Sequence, residues 1–369
     1  MGDCRVSPRT IVVRLGVLAA LLCGAPFVER SQGSAPRAPS APEYEVDDVH
    51  VHLTNYVQEG TDIHALLDMM GRRVGRVALF GTPLQQTWCY ANSGDSAPTH
   101  YLDTDAPLYY YSFTDAFVAS AYQSLPKEQR ARFDPLICGF NPADMYAVDH
   151  IRRVLRTYPG VFSGIGELTI HKESVSSKIA GEIPSLTDPA LDRVLDFAAE
   201  SGLVVLVHSD VDRPFARPAT QPTSLEGMKQ LARRHAATTI VWTHVGLGRA
   251  VFPVKDYVEI VEAMLADPSL SNLHFDLSRV DLARYLLATP ETTRAAADLI
   301  NRFPDRFIFG SDVVAPVDAQ ALMETYDDYA PLWWLLTSDA SHKVKRGNYE
   351  RLFDAARTKV RAWEKAHAR

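Results

Sequence analysis

From residue 44 onward, short β-branched, apolar runs alternate with longer stretches in which apolar residues recur at helical spacing. This alternation limits the fold more than any other feature of the chain. Strand-like runs begin near Tyr44, Arg76, Pro135, Val161, Leu203, Thr238, Asn272 and Arg306. Helices are predicted over residues 62–74, 146–158, 189–201, 224–235, 255–266 and 280–303. The long second connection holds two more, 114–124 and 126–132, and a helical C-terminal region starts near residue 319. Strands joined through helices make a parallel sheet with helices outside it. The last three strand-to-strand intervals are nearly uniform, at 35, 34 and 34 residues. Eight such units predict a closed (β/α)8 barrel with insertions. An open doubly wound sheet would usually carry a glycine-rich phosphate turn after its first strand. Here that run ends in His52-Leu53-Thr54-Asn55 instead.

Residues 85–113 break the rhythm with Trp88, Tyr90, Tyr101, Tyr109, Tyr110, Tyr111 and Phe113. On a barrel this insertion leaves the second strand at the end that carries chemistry. Its aromatics either line a substrate pocket or pack against their own barrel. The connections at 172–186 and 211–221 are also long enough to shape the mouth.

With 46% hydrophobic and 22% charged residues, the composition excludes a disordered, collagen-like or disulfide-dense chain. A net charge of −7 gives no general attraction to nucleic acid or anionic lipid, which disfavours either as a partner and leaves a small-molecule substrate open. Arg5, Arg9 and Arg14 precede an apolar run at 15–23 and the small residues Gly24 and Ala25. That pattern predicts a secretory signal peptide over 1–25, a flexible linker over 26–42 and the barrel over 43–369. The chain would then be periplasmic or secreted, with no stable membrane span once the signal is removed. The other reading is an uncleaved N-terminal arm. Cys89 and Cys138 read either as a disulfide or as two buried thiols.

Polar residues gather at strand ends. In Asp48-Val49-His50-Val51-His52-Leu53 the period of a strand puts both histidines on one face and the apolar set on the other. Two imidazoles so placed can clasp one metal ion. The fourth run brings Glu167 among glycines. The fifth is apolar until His208, the sixth until His244, and the eighth ends at Asp312. Buried carboxylates and imidazoles are costly unless paired or metal-bound, and barrel enzymes keep their chemistry at the C-terminal rim. Convergence on a shared site for zinc or a related divalent ion follows. On the seventh run, Asp276 shares a face with His274 and Ser278; it can bond a ligand histidine or pair with a neighbouring barrel strand, and it is also a candidate to meet substrate. Arg249, just past the sixth run, is a candidate to hold a substrate carboxylate, with an ordinary surface arginine as the alternative.

The ordered set Asp48-x-His50-x-His52, Glu167, His208, His244 and Gly310-Ser311-Asp312 resembles the amidohydrolase superfamily of metal-dependent TIM-barrel hydrolases. The resemblance covers roughly residues 44–353 and is nearest to the amidohydrolase-related group that includes aminocarboxymuconate-semialdehyde decarboxylase. The Gly-Ile-Gly-Glu run is also similar to TatD-like hydrolases. The resemblance implies a hydrolase in which metal-activated water attacks an amide, ester or lactone carbonyl. A mononuclear decarboxylase is the alternative, ahead of a TatD-like phosphoesterase or a non-enzymatic binding protein. It implies that His50, His52 and Asp312 hold the first ion. With two ions, Glu167 would bridge, and His208 and His244 would hold the second. With one ion, His208 would join the first metal and His244 would polarise substrate. Asp312 would transfer the proton. Glu167 stands where some relatives use a carboxylated lysine. Lys172, five residues on and past the expected strand end, is not assigned that role.

Overall fold

The structure, a computed structural model, describes residues 44–217 and 221–368, all within one unit, Pro42–Arg369. The predicted signal and linker therefore lie outside the described residues. The strands are β1 (Val46–His52), β2 (Val74–Phe80), β3 (Leu84–Gln86), β4 (Leu108–Tyr110), β5 (Phe133–Ile137), β6 (Gly164–His171), β7 (Val204–Ser209), β8 (Ile240–Trp242), β9 (Leu273–Asp276), β10 (Phe307–Ile308) and β11 (Val313–Val314). β3 and β4 form a separate antiparallel hairpin. The others make one sheet in the order β10-β9-β8-β7-β6-β5-β2-β1-β11, with parallel neighbours throughout.

β10 and β11 flank Gly310-Ser311-Asp312 and act as two halves of one strand. The first half pairs with β9 and the second with β1, so the sheet closes on itself. Across the seam, Val49 N donates to Phe309 O at 3.1 Å and Asp312 N donates to His50 O at 2.9 Å. The eight-unit TIM barrel read from the sequence is the fold. Val205, Val207, Ile240, Trp242, Leu273 and Phe275 face outward into the core shared with the helices. Val204, Leu206 and Val241 alternate with them and face inward.

Two expectations need correction. Strict alternation would set Val49 beside Val51 and Leu53 on the outer face. Instead Val49 joins the inner cluster with Ala78 and Phe80, because the β1–β2 register shifts on both sides of Asp48. At that irregularity Asp48 accepts from His50 N and Ser311 N, both at 2.9 Å. The helix expected over 280–303 is two helices, Val280–Leu286 and Pro290–Arg302. Pro290 cannot continue a helix, but it suits the first position of a new one, which Thr289 caps in a reciprocal box with Thr292.

The barrel has one closed end and one open end. At the closed end, Tyr349, Leu352, Phe353 and Ala356 of the C-terminal helix Asn348–Ala366 pack into the inner cluster. The open end is the C-terminal rim. There the hairpin folds over a satellite core of Leu84, Tyr101, Leu108, Val175 and Ile179. Lys178 Nζ ties the insertion down by donating to Tyr101 O at 2.6 Å and Thr104 O at 2.8 Å. Among the insertion's aromatics, Tyr101 takes both expected roles and three others take neither. Tyr101 packs and also lines the cavity at the mouth, whereas Trp88, Tyr90 and Phe113 are exposed. Cys138 is buried, Cys89 is exposed, and both are free.

Candidate metal centre

The predicted site residues come from five strand ends and meet at the floor of the mouth. His50 Nε2 lies 3.3 Å from His52 Nε2 and 3.2 Å from Asp312 Oδ1. His52 Nε2 lies 3.3 Å from the same Asp312 oxygen. Glu167 Oε1 is 3.6 Å from Nε2 of both His50 and His244. Two overlapping ligand groups result, His50–His52–Asp312 and His50–Glu167–His244, each with its ligand atoms within 4.8 Å of one another.

Close backbone approach makes this convergence possible. A Cβ on Gly310 would stand 2.9 Å from the Cβ atoms of both His50 and Ser278, so only glycine admits the His50 side chain here. His244 and Asp312 both hold left-handed backbone, with φ of 54° and 58°. Such a conformation is uncommon outside glycine and is held by its surroundings.

Partners behind the ligands orient them. His50 Nδ1 meets Asp276 Oδ2 at 2.8 Å. Asp276 is fully buried behind His50, in the position of a partner that orients the imidazole ring. His244 Nδ1 meets Ser278 Oγ at 2.7 Å, so that hydroxyl sets whether Nε2 offers a lone pair or an N–H. His208 is placed differently from the expectation of a ligand. Its Nδ1 lies 2.6 Å from Glu167 Oε1 and its Nε2 3.1 Å from Asp210 Oδ1. Both nitrogens are thereby engaged, and His208 belongs to neither ligand group among the described residues.

The charges fit a cation. Burial pushes the Glu167 carboxyl up, but Lys172 and His208 outweigh it and hold the group well below the usual carboxylate range. At Asp312 burial is likewise outweighed, by His50 and His244. Burial pulls His52 and His244 down, which favours the neutral, ligating imidazole. Burial pulls on His50 too, yet Asp312 and Asp276 hold it well above its usual value. His244 Nε2 is buried with no hydrogen-bond partner. A buried orphan nitrogen facing two ionised carboxylates and two more imidazoles is a donor set suited to zinc or a related divalent ion.

Above this floor lies a cavity of about 470 Å³. Lys172, Arg249 and Arg279 line it together with His52, Glu167 and Asp312. Two of these cations escaped the sequence reading. Lys172 Nζ reaches back to Glu167 Oε2 at 2.9 Å. Arg279 bonds Asp281 at 3.1 Å and Glu173 at 3.3 Å, while its Nη1 is buried without a partner. The available signal for Arg279 was its place directly after Asp276-Leu277-Ser278 at the catalytic rim.

With fold and site in hand, comparison gives the same class. The family model described as Amidohydrolase matches residues 176–355, which include His208, His244 and Asp312. An amidohydrolase from Burkholderia multivorans with bound zinc superposes with a TM-score of 0.51 at 14% identity, covering 84% of this chain and 99% of its own. Dihydroorotase from Campylobacter jejuni gives 0.46 at 13% identity, covering 84% and 83% of the two chains. A 2,6-dihydroxybenzoate decarboxylase gives 0.45 at 13% identity, covering 85% and 100%. No curated protein matches. Motif order, the barrel and the family match over residues 176–355 agree with the resemblance read from the sequence, and the solved structure shares the barrel fold. No helix among the described residues is long and apolar enough to cross a membrane.

Proposed function

We propose that the chain is a metal-dependent hydrolase in which water attacks the carbonyl of an amide, ester or lactone. The observation that carries this reading is the meeting of Asp312 with His50, His52 and His244 beneath an open cavity. His50, His52 and Asp312 would hold the ion, which we propose to be zinc, with Glu167 and His244 beside them. When bound, such an ion supplies Lewis acidity and lowers the pKa of water toward neutrality. Asp312 is ionised and its side chain is 14% exposed, enough to meet a water in the cavity. It takes the water's proton and returns it to the leaving group. His244, with Ser278 donating to Nδ1, presents Nε2–H to the developing oxyanion. Asp276 keeps the His50 ring fixed while this happens.

One observation favours a second reading. Arg249 and Arg279, the latter with its Nη1 buried and without a partner, stand in the cavity wall among carboxylates, and a guanidinium there suits a substrate carboxylate. A carboxylate held near the centre is what a decarboxylase of the mononuclear type needs. Offering zinc-loaded protein esters, lactones, amides and carboxylic acids in ¹⁸O-water separates the two. Solvent oxygen in the product supports the hydrolase. Carbon dioxide released without solvent oxygen in the organic product selects the decarboxylase. A fully loaded protein that turns over none of these classes overturns both. Export is part of the proposal and rests on the pattern in residues 1–25. Finding the unprocessed chain only in the cytoplasm would remove it.

A further inference from the structure

We propose that Lys172 fills the second cation position of this centre, so that the site takes one divalent ion and excludes another. The inference rests on the metal-dependent reading above and decides the ion count that the ligand types leave open. The two ligand groups share His50. Its Nδ1 is taken by Asp276, so Nε2 is the nitrogen that both groups would use. An imidazole nitrogen has a single lone pair, and the two groups cannot each own it.

A second ion would therefore need Glu167 with His208 and His244. His208 already meets Glu167 Oε1 and Asp210 Oδ1 at 2.6 and 3.1 Å, so it would have to give up the longer contact to become a ligand. The other Glu167 oxygen, Oε2, already carries the Lys172 ammonium at 2.9 Å. A divalent ion sharing that oxygen would stand against a positive charge in a buried site, where screening is weak.

The ammonium is held there by the fold. β6 ends at His171, and the chain turns at once. Lys172 N donates to Ser176 Oγ at 2.9 Å, and Lys172 O accepts from Val175 N and Ser176 N at 3.2 and 2.9 Å. The side chain is only 11% exposed. Glu167 thus finds its countercharge on the turn that follows its own strand, five residues away.

The test counts ions without using turnover. Protein stripped with chelator is titrated with zinc, and bound metal is measured by elemental analysis. Wild type and Lys172→Arg should bind about one equivalent, and Lys172→Met and Lys172→Gln about two, because only the last two lose the competing charge. Two equivalents in the wild type, or one in both uncharged variants with native circular dichroism, overturns the proposal. A measurement on the wild type needs no variant. Its cobalt-loaded form should give an uncoupled electron paramagnetic resonance signal, and a spin-coupled pair overturns the proposal. Binding of no ion by any form overturns the metal-dependent reading itself, which is a distinct result.

Discussion

Asp134 at the closed end is fully buried and the carboxylates at the mouth, Glu167 and Asp312, are nearly so, but they are satisfied in opposite ways. At the closed end, fully buried Asp134 accepts from Arg76 Nη2 at 2.9 Å, Tyr349 OH at 2.8 Å and Arg357 Nε at 2.5 Å. Each of its oxygens is capped by donors, and the donors come from β2 and the C-terminal helix. At the mouth, Glu167 and Asp312 face imidazoles, two of which, His52 and His244, keep an orphan nitrogen. A buried network with every valence filled holds a structure in place. One with valences left open is costly unless a further group completes it, so the open valences mark where a ligand belongs.

The sharpest way to break this contrast is to empty the closed end. Asp134→Ala leaves Arg76 and Arg357 facing a buried void. Stability should fall by about 3–5 kcal/mol, the usual cost of removing one partner from a buried ion pair. Urea unfolding measures it. Metal content per folded molecule should not change. A drop in metal content at full folding would mean that the two ends are coupled.

At the mouth the expected loss is in rate. Asp312→Asn keeps the shape but removes the basic oxygen pair. Turnover of a confirmed substrate should fall by about 10²-fold or more, the scale of lost proton transfer. Its unfolding midpoint should stay near that of the wild type, unlike that of Asp134→Ala. Near-normal turnover would move the base to His244 or to the substrate. Asp276→Asn is expected to be milder, because it only loosens the His50 ring. Zinc affinity should fall by about 10–100-fold, as for other partners of ligand histidines, and competition with a chromophoric chelator measures it.

What the sequence showed, and what it hid, follows the same division. His208, His244 and Asp312 were legible because each ends an otherwise apolar strand, and a polar residue there has a rim to serve. Glu167 was legible among its glycines. Lys172 was not, since its reach back to Glu167 depends on the turn closed by Ser176 and not on strand period. Arg279 looks in sequence like any arginine after a strand. The outward placement expected for Val49 failed because a register shift at Asp48 breaks the alternation locally. The closed end was hidden altogether. Asp134 and Arg357 are 223 residues apart, and no local pattern connects them.

The smallest effect belongs to a buried group of the closed half. His274, on β9 below Asp276, is 5% exposed, and its Nδ1 has no hydrogen-bond partner. Burial, with Arg351 and Arg306 adding repulsion, pulls its pKa down to about 3. The folded chain therefore keeps this imidazole neutral over a range in which the unfolded chain protonates it. Between about pH 6.5 and pH 3 the unfolded state binds one more proton here, so stability falls as pH falls. From about pH 7 to about pH 5.5 the group should cost the fold about 1 kcal/mol. His274→Gln cannot take up that proton. The difference in unfolding free energy between wild type and variant, measured by urea at both pH values, should shift by that amount in favour of the variant at the lower pH. A difference that stays constant with pH would mean that His274 takes up a proton in the fold as readily as in the unfolded chain, so that burial does not hold it neutral.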